Sequence, residues 1–346
     1  MLENVQSSTG DVMTTQLRPL SLGEILDRTA ELYRSNFLLF AGTSAIFASV
    51  MLFTEMVILG VDDLLGYPNV PGHLQWAVAT LSVLQMIVIL LAAGLSIAAF
   101  NRMVAWVYLG EPASIRAAVS SAFPRVRTYL WLMINVGTRA YGPIWVLYII
   151  FFAMMFAVLP SGWLTNPSVM QQPHAMDPVK ALQLLMSMLV LGPLFVAAGI
   201  YAVLMSLRYS LAMPVCVVES LAAGPAIKRS IELSKGARGR IFVMGLLVYA
   251  IRTGLGLLLG FPLIFFAVKH MGQPLPLGLM AVTQIAGFLV NTFIGPIYST
   301  GLTLFYYDQR VRKEGFDIVW MMQAAGLSPH AELPAAAAPE SEQPLI

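Results

Sequence analysis

Long stretches without any charged residue alternate along this chain with short segments that carry charge. The first uncharged stretch runs from 35 to 54, and comparable stretches recur along the rest of the chain. A helix needs about 20 consecutive apolar residues to cross the hydrocarbon core of a bilayer. The pattern therefore predicts six transmembrane helices. They lie at about 36–58, 76–100, 130–158, 181–206, 241–266 and 278–303.

A short amphipathic segment precedes the first, third and fifth predicted spans. In the first segment, SLGEILDRTAELYRSNF, Ser21 and Glu24 have the spacing of a capping box at a helix start. The other two, PASIRAAVSSAFPRVRTYL and GPAIKRSIELSKGARGRIF, align so that Ile115 matches Ile227. Such helices lie in the headgroup layer with the apolar face toward lipid, although solvated loops are the alternative. We predict an all-α polytopic membrane protein built as three repeats, each of one interfacial amphipathic helix plus two spans.

The composition strengthens this prediction because charge is scarce. The chain is 58% hydrophobic and 11% charged, whereas soluble domains are nearer ~45–50% apolar and ~25% charged. A net charge of +2 is too small to indicate nucleic-acid binding. The one cysteine, Cys216, excludes an intrachain disulfide and dithiol redox chemistry. We expect Cys216 to pack as a small apolar side chain.

Lysine and arginine are distributed unequally between the two sides of the predicted membrane domain. Of the 20 such residues, only Lys180 and Lys269 fall in the loops opposite the termini, and two arginines fall within spans. Positively charged loop residues stay on the cytoplasmic side of a membrane. The distribution therefore predicts that both termini are cytoplasmic, and it agrees with an even number of spans.

The two ends of the chain differ in composition from the membrane domain, which we place at 17–325. We expect 1–16 to form a flexible tail. The segment 326–346 is rich in Ala, Pro and Glu and has few large apolar residues, a composition typical of disorder. No cleavable signal peptide is expected, because the beginning of the chain carries charges throughout and has no apolar core segment.

Three charged residues within or next to the predicted spans form a candidate intramembrane polar site. Arg139 and Arg252 occupy similar depths in the third and fifth spans, and Glu55 lies near the end of the first. A charged residue inside a membrane is a functional candidate because it is costly there. One hypothesis is that the arginines bind an anion or a lipid phosphate. The alternative is that they bond to backbone carbonyls or extend toward the headgroups. Glu55 is the weaker counter-ion candidate because its depth differs.

Two further candidate sets lie near the ends of the spans. The first is basic and is expected to contact anionic headgroups, at ~1 kcal/mol per residue near the surface. It comprises Arg125, Arg127, Lys228, Arg229, Lys235, Arg238 and Arg240. The second is a predicted structural clamp after the last span. It comprises Tyr306, Tyr307, Asp308, Arg310, Arg312 and Glu314.

Motifs of soluble catalysis are absent from the sequence. There is no Gly-x-Ser-x-Gly, no His-Glu-x-x-His and no phosphate-binding loop. His73, His174 and His270, one in each predicted external loop, show no metal-ligand spacing. We therefore expect no enzymatic activity, no cofactor and no metal. The expected partners are membrane lipids with anionic headgroups, not nucleic acid.

Three strings of residues resemble a known membrane family. They are LRPLSLGEILDRTAELYRSNF, RYSLAMPVCVVESLAAGPAIKRSIELSKG and GPIYSTGLTLFYYDQRVRKEGFD. From about 17 to 317 the chain resembles the glycerophosphoryl diester phosphodiesterase membrane domain family and its uncharacterised relatives. The resemblance implies a multi-pass protein of a bacterial-type plasma (inner) membrane. It does not imply the catalytic barrel, whose His-Arg-Gly and Glu-Asn-Thr strings have no counterpart here.

Three classes of function stay open from the sequence. The leading hypothesis is a non-enzymatic protein that acts in membrane, envelope or lipid homeostasis as a scaffold or accessory subunit. The second is a permease-like transporter or channel subunit for a small anionic or lipid substrate, favoured by the repeat and by interrupted spans such as LGPLF at 191–195. The third, a membrane-embedded lipid enzyme, lacks the clustered acids and histidines that it needs. A polar cavity that reaches the two arginines would favour transport, and a fully packed bundle would favour the scaffold.

Overall fold

The computed structural model describes residues 18–66, 74–158, 178–269 and 276–324 of the chain. Every regular element in these ranges is a helix, which confirms the all-α prediction for the described residues. The predicted tails, 1–16 and 326–346, lie outside them.

The helices follow one another with short connections. In chain order they are α1 (Leu22–Ser35), α2 (Phe37–Leu64), α3 (Gln75–Leu109), α4 (Ile115–Ala122), α5 (Val126–Val158), α6 (Pro178–Tyr209), α7 (Ala212–Val218), α8 (Ala223–Ser234), α9 (Arg238–Lys269), α10 (Leu277–Glu314) and α11 (Phe316–Ala324). A 3-10 turn at Phe123–Arg125 joins α4 to α5.

Six of these helices, α2, α3, α5, α6, α9 and α10, are long and apolar enough to cross a membrane. Each one coincides with a predicted span. A helix is suited to this role because it satisfies its backbone hydrogen bonds within the segment, where hydrocarbon offers no partner. The chain is therefore a multi-pass membrane protein.

Helix ends are where the structure departs from the predicted spans. Helix α3 continues to Leu109 and α10 to Glu314, although their spans were predicted to end at about 100 and 303. Gly110 and Gly315 follow these helices with φ of 76° and 63°. Glycine adopts this left-handed conformation without steric cost and so ends a helix cleanly. Hydropathy reports the thickness of the bilayer, whereas the helix continues beyond it until a glycine stops it.

The long helices pack in consecutive pairs, α2 with α3, α5 with α6 and α9 with α10. Helix α10 also packs against α2 and α3, so it lies centrally in the bundle. The short helices α1, α4, α7 and α8 gather around one end of the long helices, and we call this group the collar. The collar places α1 on α10, α4 on α3, and α8 on α5 and α6.

Buried residues concentrate at the collar end. No residue whose burial the structure describes is buried at 49–91, 141–158, 178–190, 249–269 or 277–291. We call these stretches the open half. Apolar side chains exposed there suit a lipid environment, because hydrocarbon solvates them as well as a protein core does.

The apolar faces of the amphipathic helices do not lie as predicted. Ile25 and Leu32 of α1, Ala118 of α4 and Ile227 of α8 are buried in the protein core, not directed at lipid. Helices form where the three segments predicted them, and Ser21 with Glu24 forms the predicted capping box. The error arises because an amphipathic pattern predicts that one face is covered without saying what covers it.

Two short helices were not predicted. Helix α7 has seven residues, nearly all apolar and buried, so it carries no helical periodicity that a sequence could show. Helix α11 begins directly after the glycine that ends α10, and Phe316 and Trp320 of α11 pack against the core. Cys216, on α7, is buried as expected.

Candidate functional site

A buried carboxylate, Asp308, lies at the centre of the collar. Its side chain has 0% exposure and accepts hydrogen bonds from the Leu20 backbone N–H (2.8 Å), Arg240 Nη2 (3.0 Å) and Arg312 Nε (2.9 Å). Gln309 Nε2 donates to it as well, at 2.9 Å. A buried charge is tolerated only when it is paired and fully hydrogen-bonded. Asp308 meets that requirement through α9, α10 and the segment before α1.

The carbonyl of Leu20 closes this arrangement. It accepts hydrogen bonds from Arg240 Nη1 (3.0 Å) and Arg312 Nη2 (2.7 Å). Both arginines therefore bind one carboxylate and one backbone carbonyl, and the Leu20 peptide is held by its N–H and its C=O. The result, which we call the Asp308 network, attaches the beginning of the described chain to its last two long helices.

A second network joins α7, α8 and α10. The Tyr306 hydroxyl donates to Glu219 at 3.0 Å, and Arg229 bridges Glu219 (3.3 Å) and Glu314 (2.5 Å). Arg310 Nε donates to Glu314 at 3.2 Å. Burial lowers the pKa of Arg229, but attraction to Glu219 and Glu314 outweighs that effect and raises it above its ordinary value. These charges stabilise one another as a group, which is stronger than an isolated surface pair.

The predicted structural clamp lies within these two networks. Five of its six residues take part in them. The sixth, Tyr307, is buried against Tyr108 with ring centroids 5.1 Å apart, and its hydroxyl has no hydrogen-bond partner among the described residues. Sequence reasoning missed the partners Leu20 and Glu219, because no local spacing connects them to α10. Each acid of the two networks is paired with at least one arginine.

The basic set predicted to contact anionic lipid divides into two groups. Arg229 and Arg240 pair with acids inside the protein, and Arg125 donates to the Leu221 carbonyl at 3.2 Å. These three arginines have partners inside the protein, although Nη1 of Arg125 has none among the described residues, and their contact with headgroups stays a prediction. The other members keep the prediction open: Arg127, Lys228 and Lys235 are exposed and Arg238 is half-buried.

Arg139 and Arg252 make contacts with different helices. Arg139 is exposed on α5, and its carbonyl accepts a hydrogen bond from the Tyr201 hydroxyl of α6 at 3.2 Å. It is not among the residues that line the clefts around Arg252. Similar depth in two spans does not make two side chains neighbours, because α5 packs on α6 whereas α9 packs on α10.

Arg252 instead faces α10. Its Nη2 donates to Asn291 Oδ1 at 2.9 Å. The side chain lines a cleft of about 230 Å³ between α9 and α10, which we call the Arg252 cleft. Gly256, Gly260 and Gly287 line the same cleft and keep it open by having no side chain. A guanidinium at this position is costly, and one amide oxygen offsets only part of that cost.

Glu55 lines a neighbouring cleft of about 270 Å³ between α2, α3 and α10, which we call the Glu55 cleft. Gln284 and Asn291 line it too. Asn291 also borders a third cleft of about 180 Å³, lined by Ser44 and Ser96. The intramembrane polar groups of α2, α3, α9 and α10 thus meet around one amide. Glu55 was the weaker candidate from the sequence, but in the structure Gly287 and Asn291 line both its cleft and the Arg252 cleft.

Sequence reasoning missed Asn291 and Gln284. A signal existed, because they are uncharged polar residues seven positions apart in the last span and so share a helix face. A search restricted to charge overlooks such amides.

Comparisons with protein-family models, curated proteins and solved structures found no match for this chain. The resemblance carried by the YYDQRVRKEGFD string therefore stays a prediction. No group of histidine, cysteine and acidic residues able to hold a metal occurs in the described ranges. His73, His174 and His270 lie outside them.

Proposed function

We propose that this chain is a non-enzymatic multi-pass protein of a bacterial-type plasma membrane that binds lipid in the open half and acts in membrane, envelope or lipid homeostasis as a scaffold or accessory subunit. One observation carries the proposal. Arg252, Asn291 and Glu55 line adjoining clefts in the part of the bundle where no described residue is buried. Polar groups at membrane depth are retained where they bind a ligand or a partner.

The collar supports the scaffold part of the proposal. The Asp308 network and the network around Glu219 and Glu314 pair each of these acids with at least one arginine. A rigid, ion-paired end joined to an open, lipid-facing end suits a protein that holds lipid or positions a partner.

The family resemblance, the three-repeat arrangement and the orientation belong to the same proposal. Each pair of long helices is preceded by at least one short helix, which agrees with three units of amphipathic helix plus two spans. The collar and the ends of the long helices that adjoin it together carry most of the lysine and arginine, so the positive-inside rule orients this side toward the cytoplasm together with both termini. Exposed Arg127, Lys228 and Lys235 then face anionic headgroups.

A permease-like transporter or channel subunit is the second candidate function. The meeting of three clefts around Asn291 favours it, because a solute path through a bundle needs adjoining polar cavities. Pro262 of α9 and Pro296 of α10 lie within spans on either side of this region, as in the interrupted helices of transporters.

Lipid retention tests the leading proposal. The protein is purified in mild detergent, and co-purified lipid is counted by native mass spectrometry for the natural chain and for Arg252→Ala combined with Asn291→Ala. We expect the double variant to lose lipid. The matched control is Arg139→Ala, which removes an exposed intramembrane arginine outside the clefts and should retain lipid. Equal retention in the natural chain and the double variant contradicts the proposal.

Reconstitution separates the two candidate functions. Vesicles that contain the protein are loaded with small organic anions, and efflux is followed with and without Arg252→Ala. Efflux that depends on Arg252 would support the transporter or channel function. Lipid retention without such efflux supports the scaffold.

A further inference from the structure

Arg252 of α9 and Glu55 of α2 carry opposite charges. Each lines a cleft against α10, and the two clefts lie on adjacent faces of that helix. Thr283 lines the Arg252 cleft and the next residue, Gln284, lines the Glu55 cleft. Successive residues of a helix point about 100° apart, so the two clefts adjoin along one edge of α10. Gly287 lies on that edge and lines both.

Neither charge has an opposite partner among the residues that the structure describes. Arg252 bonds to the neutral amide of Asn291, and Glu55 makes no ion pair with any residue in the described ranges. Every charged group of the Asp308 network, by contrast, has an opposite partner within hydrogen-bond distance. Unpaired charge at membrane depth is expensive. A ligand that carries both signs would neutralise both residues at once.

No side chain separates the two clefts at Gly287, so one ligand can extend from one cleft into the other. A Cβ added to Gly287 would meet nothing within 4 Å. Asn291 stands beside this gap with its Oδ1 occupied by Arg252, which leaves its amide N–H groups free to donate to an anion. The gap thus has a cation and an amide donor on one side and a carboxylate on the other.

An exposed apolar side chain borders the Arg252 cleft, since Leu259 lines it and is 40% exposed. A ligand that enters past such a side chain comes from the hydrocarbon phase, which favours a lipid over a free solute.

We propose that the adjoining Arg252 and Glu55 clefts bind the headgroup of a zwitterionic aminoalkyl phospholipid, with its phosphate on Arg252 and Asn291, its ammonium on Glu55 and its acyl chains in the surrounding bilayer. The inference rests on the proposed lipid-binding function and adds the class of lipid. The phosphate oxygens accept from the guanidinium and the amide, and the ammonium donates to the carboxylate.

Competition between two lipids tests the inference. The protein is placed in nanodiscs with equal phosphatidylethanolamine and phosphatidylglycerol, and the lipids retained on release into the mass spectrometer are compared. We expect the natural chain to prefer phosphatidylethanolamine by about tenfold or more, the effect of one charge-assisted hydrogen bond. Glu55→Gln should abolish that preference while lipid is still retained, because the phosphate contact remains. Arg252→Gln should reduce retention of both lipids.

Two glycine variants separate failure of this inference from failure of the proposed function. Gly287→Leu fills the edge between the clefts and should remove retained lipid, whereas Gly192→Leu on α6, where a Cβ also meets nothing within 4 Å, should not. If Gly287→Leu removes lipid but Glu55→Gln keeps the natural preference, the zwitterionic headgroup is refuted and the lipid site stands. If neither glycine variant changes the amount of retained lipid, both proposals are refuted.

The source of the headgroup is tested separately. Free glycerophosphoethanolamine is added at increasing concentration to the loaded nanodiscs. We expect no displacement of phosphatidylethanolamine, because the acyl chains hold the lipid in the bilayer. Displacement would overturn the assignment to a lipid and indicate a soluble zwitterion.

Discussion

The two halves of α10 show how differently the two ends of this bundle are held together. From Thr292 to Val311 the helix buries twelve residues, among them a charged aspartate and two tyrosines. From 277 to 291 it buries none. The sequence of both halves is predominantly apolar, so composition alone does not account for the contrast.

The difference lies in what each end offers its neighbours. At the collar, polar side chains from distant segments meet in pairs, and Gly301 lets α9 approach so closely that an added Cβ would clash with Met244 Sδ. In the open half, Gly287 has open space around it. Hydrocarbon provides no hydrophobic force that would close such a gap. A membrane helix stays folded without lateral contacts, so the open half can keep clefts that a soluble core would collapse.

Removal of the central carboxylate should have the largest effect on this contrast. Asp308→Ala leaves the half-buried Arg240 and the exposed Arg312 beside the Leu20 carbonyl without an anion. Loss of one partner from a fully buried ion pair costs about 3–5 kcal/mol, and solvent around the two arginines reduces that cost. We expect a large fall in the thermal midpoint in detergent, followed by intrinsic fluorescence, and loss of protease protection for the segment before α1.

Two controls sharpen that experiment. Asp27→Ala removes an exposed acid of α1 that has no ion pair in the described residues, and it should change the midpoint little. Replacement of Asp308, Arg240 and Arg312 together by apolar residues of similar volume should recover much of the loss, because no charge is left unpaired. A midpoint for Asp308→Ala equal to that of Asp27→Ala would show that the collar does not depend on this network.

The same substitution at two glycines of α10 should have opposite consequences. Gly301→Ala forces the buried Met244 side chain to move, and overpacking of this kind costs about 1–3 kcal/mol. Gly287→Ala meets no atom and should leave stability unchanged or raise it by up to about 1 kcal/mol through helix propensity. Thermal midpoints measure both. Recovery in the Gly301→Ala, Met244→Ala double variant is required if the close approach is the cause.

Sequence reasoning predicted the fold to the extent that hydrocarbon dictates it. Each of the six spans was found because an uncharged stretch of about 20 residues has one main interpretation. The direction of the amphipathic faces was not found, because Ile227 and Ile25 look alike whether lipid or protein covers them. Helix α7 was missed for the related reason that a uniformly apolar segment has no periodicity.

The sites were predictable only where partners lie close in sequence. Arg312 and Asp308 are four residues apart, so their pairing could be read from the chain. The bond from Arg240 to Asp308 spans sixty-eight positions and depends on how α9 packs against α10. The contacts of Arg139 with α6 and of Arg252 with α10 could not be predicted for the same reason, since depth along a helix does not specify the neighbouring helix.

A moderate effect should follow from loss of one buried hydroxyl. The Thr303 hydroxyl of α10 donates to Asn101 Oδ1 of α3 at 2.7 Å, at the collar end of the bundle. Hydrogen bonds between membrane helices contribute about 0.6 kcal/mol on average and up to about 1.7. Thr303→Val should lower the thermal midpoint accordingly. Thr283→Val in the open half is the matched control, because that hydroxyl bonds only to its own helix at the Leu279 carbonyl (2.9 Å) and its loss should not matter. Equal effects would remove the distinction between the two ends.

The smallest expected effect lies on the exposed rim of the collar, at the capping box of α1. The Ser21 backbone N–H, then the Ser21 hydroxyl, then Arg18 lower the pKa of Glu24 from its ordinary value of 4.5 to about 2. A carboxyl with a lowered pKa stabilises the folded state above pH 4.5, and this contribution is lost as the pH falls toward 2. The thermal midpoint of the natural chain should therefore exceed that of Glu24→Gln at neutral pH, and the difference should disappear at about pH 2. Asp27→Asn, which replaces an exposed acid of the same helix outside the capping box, serves as the control at neutral pH. A difference for Glu24→Gln that persists at about pH 2 would mean that the carboxylate charge does not stabilise the start of α1. The collar would then depend on the Asp308 network and the network around Glu219 and Glu314 alone.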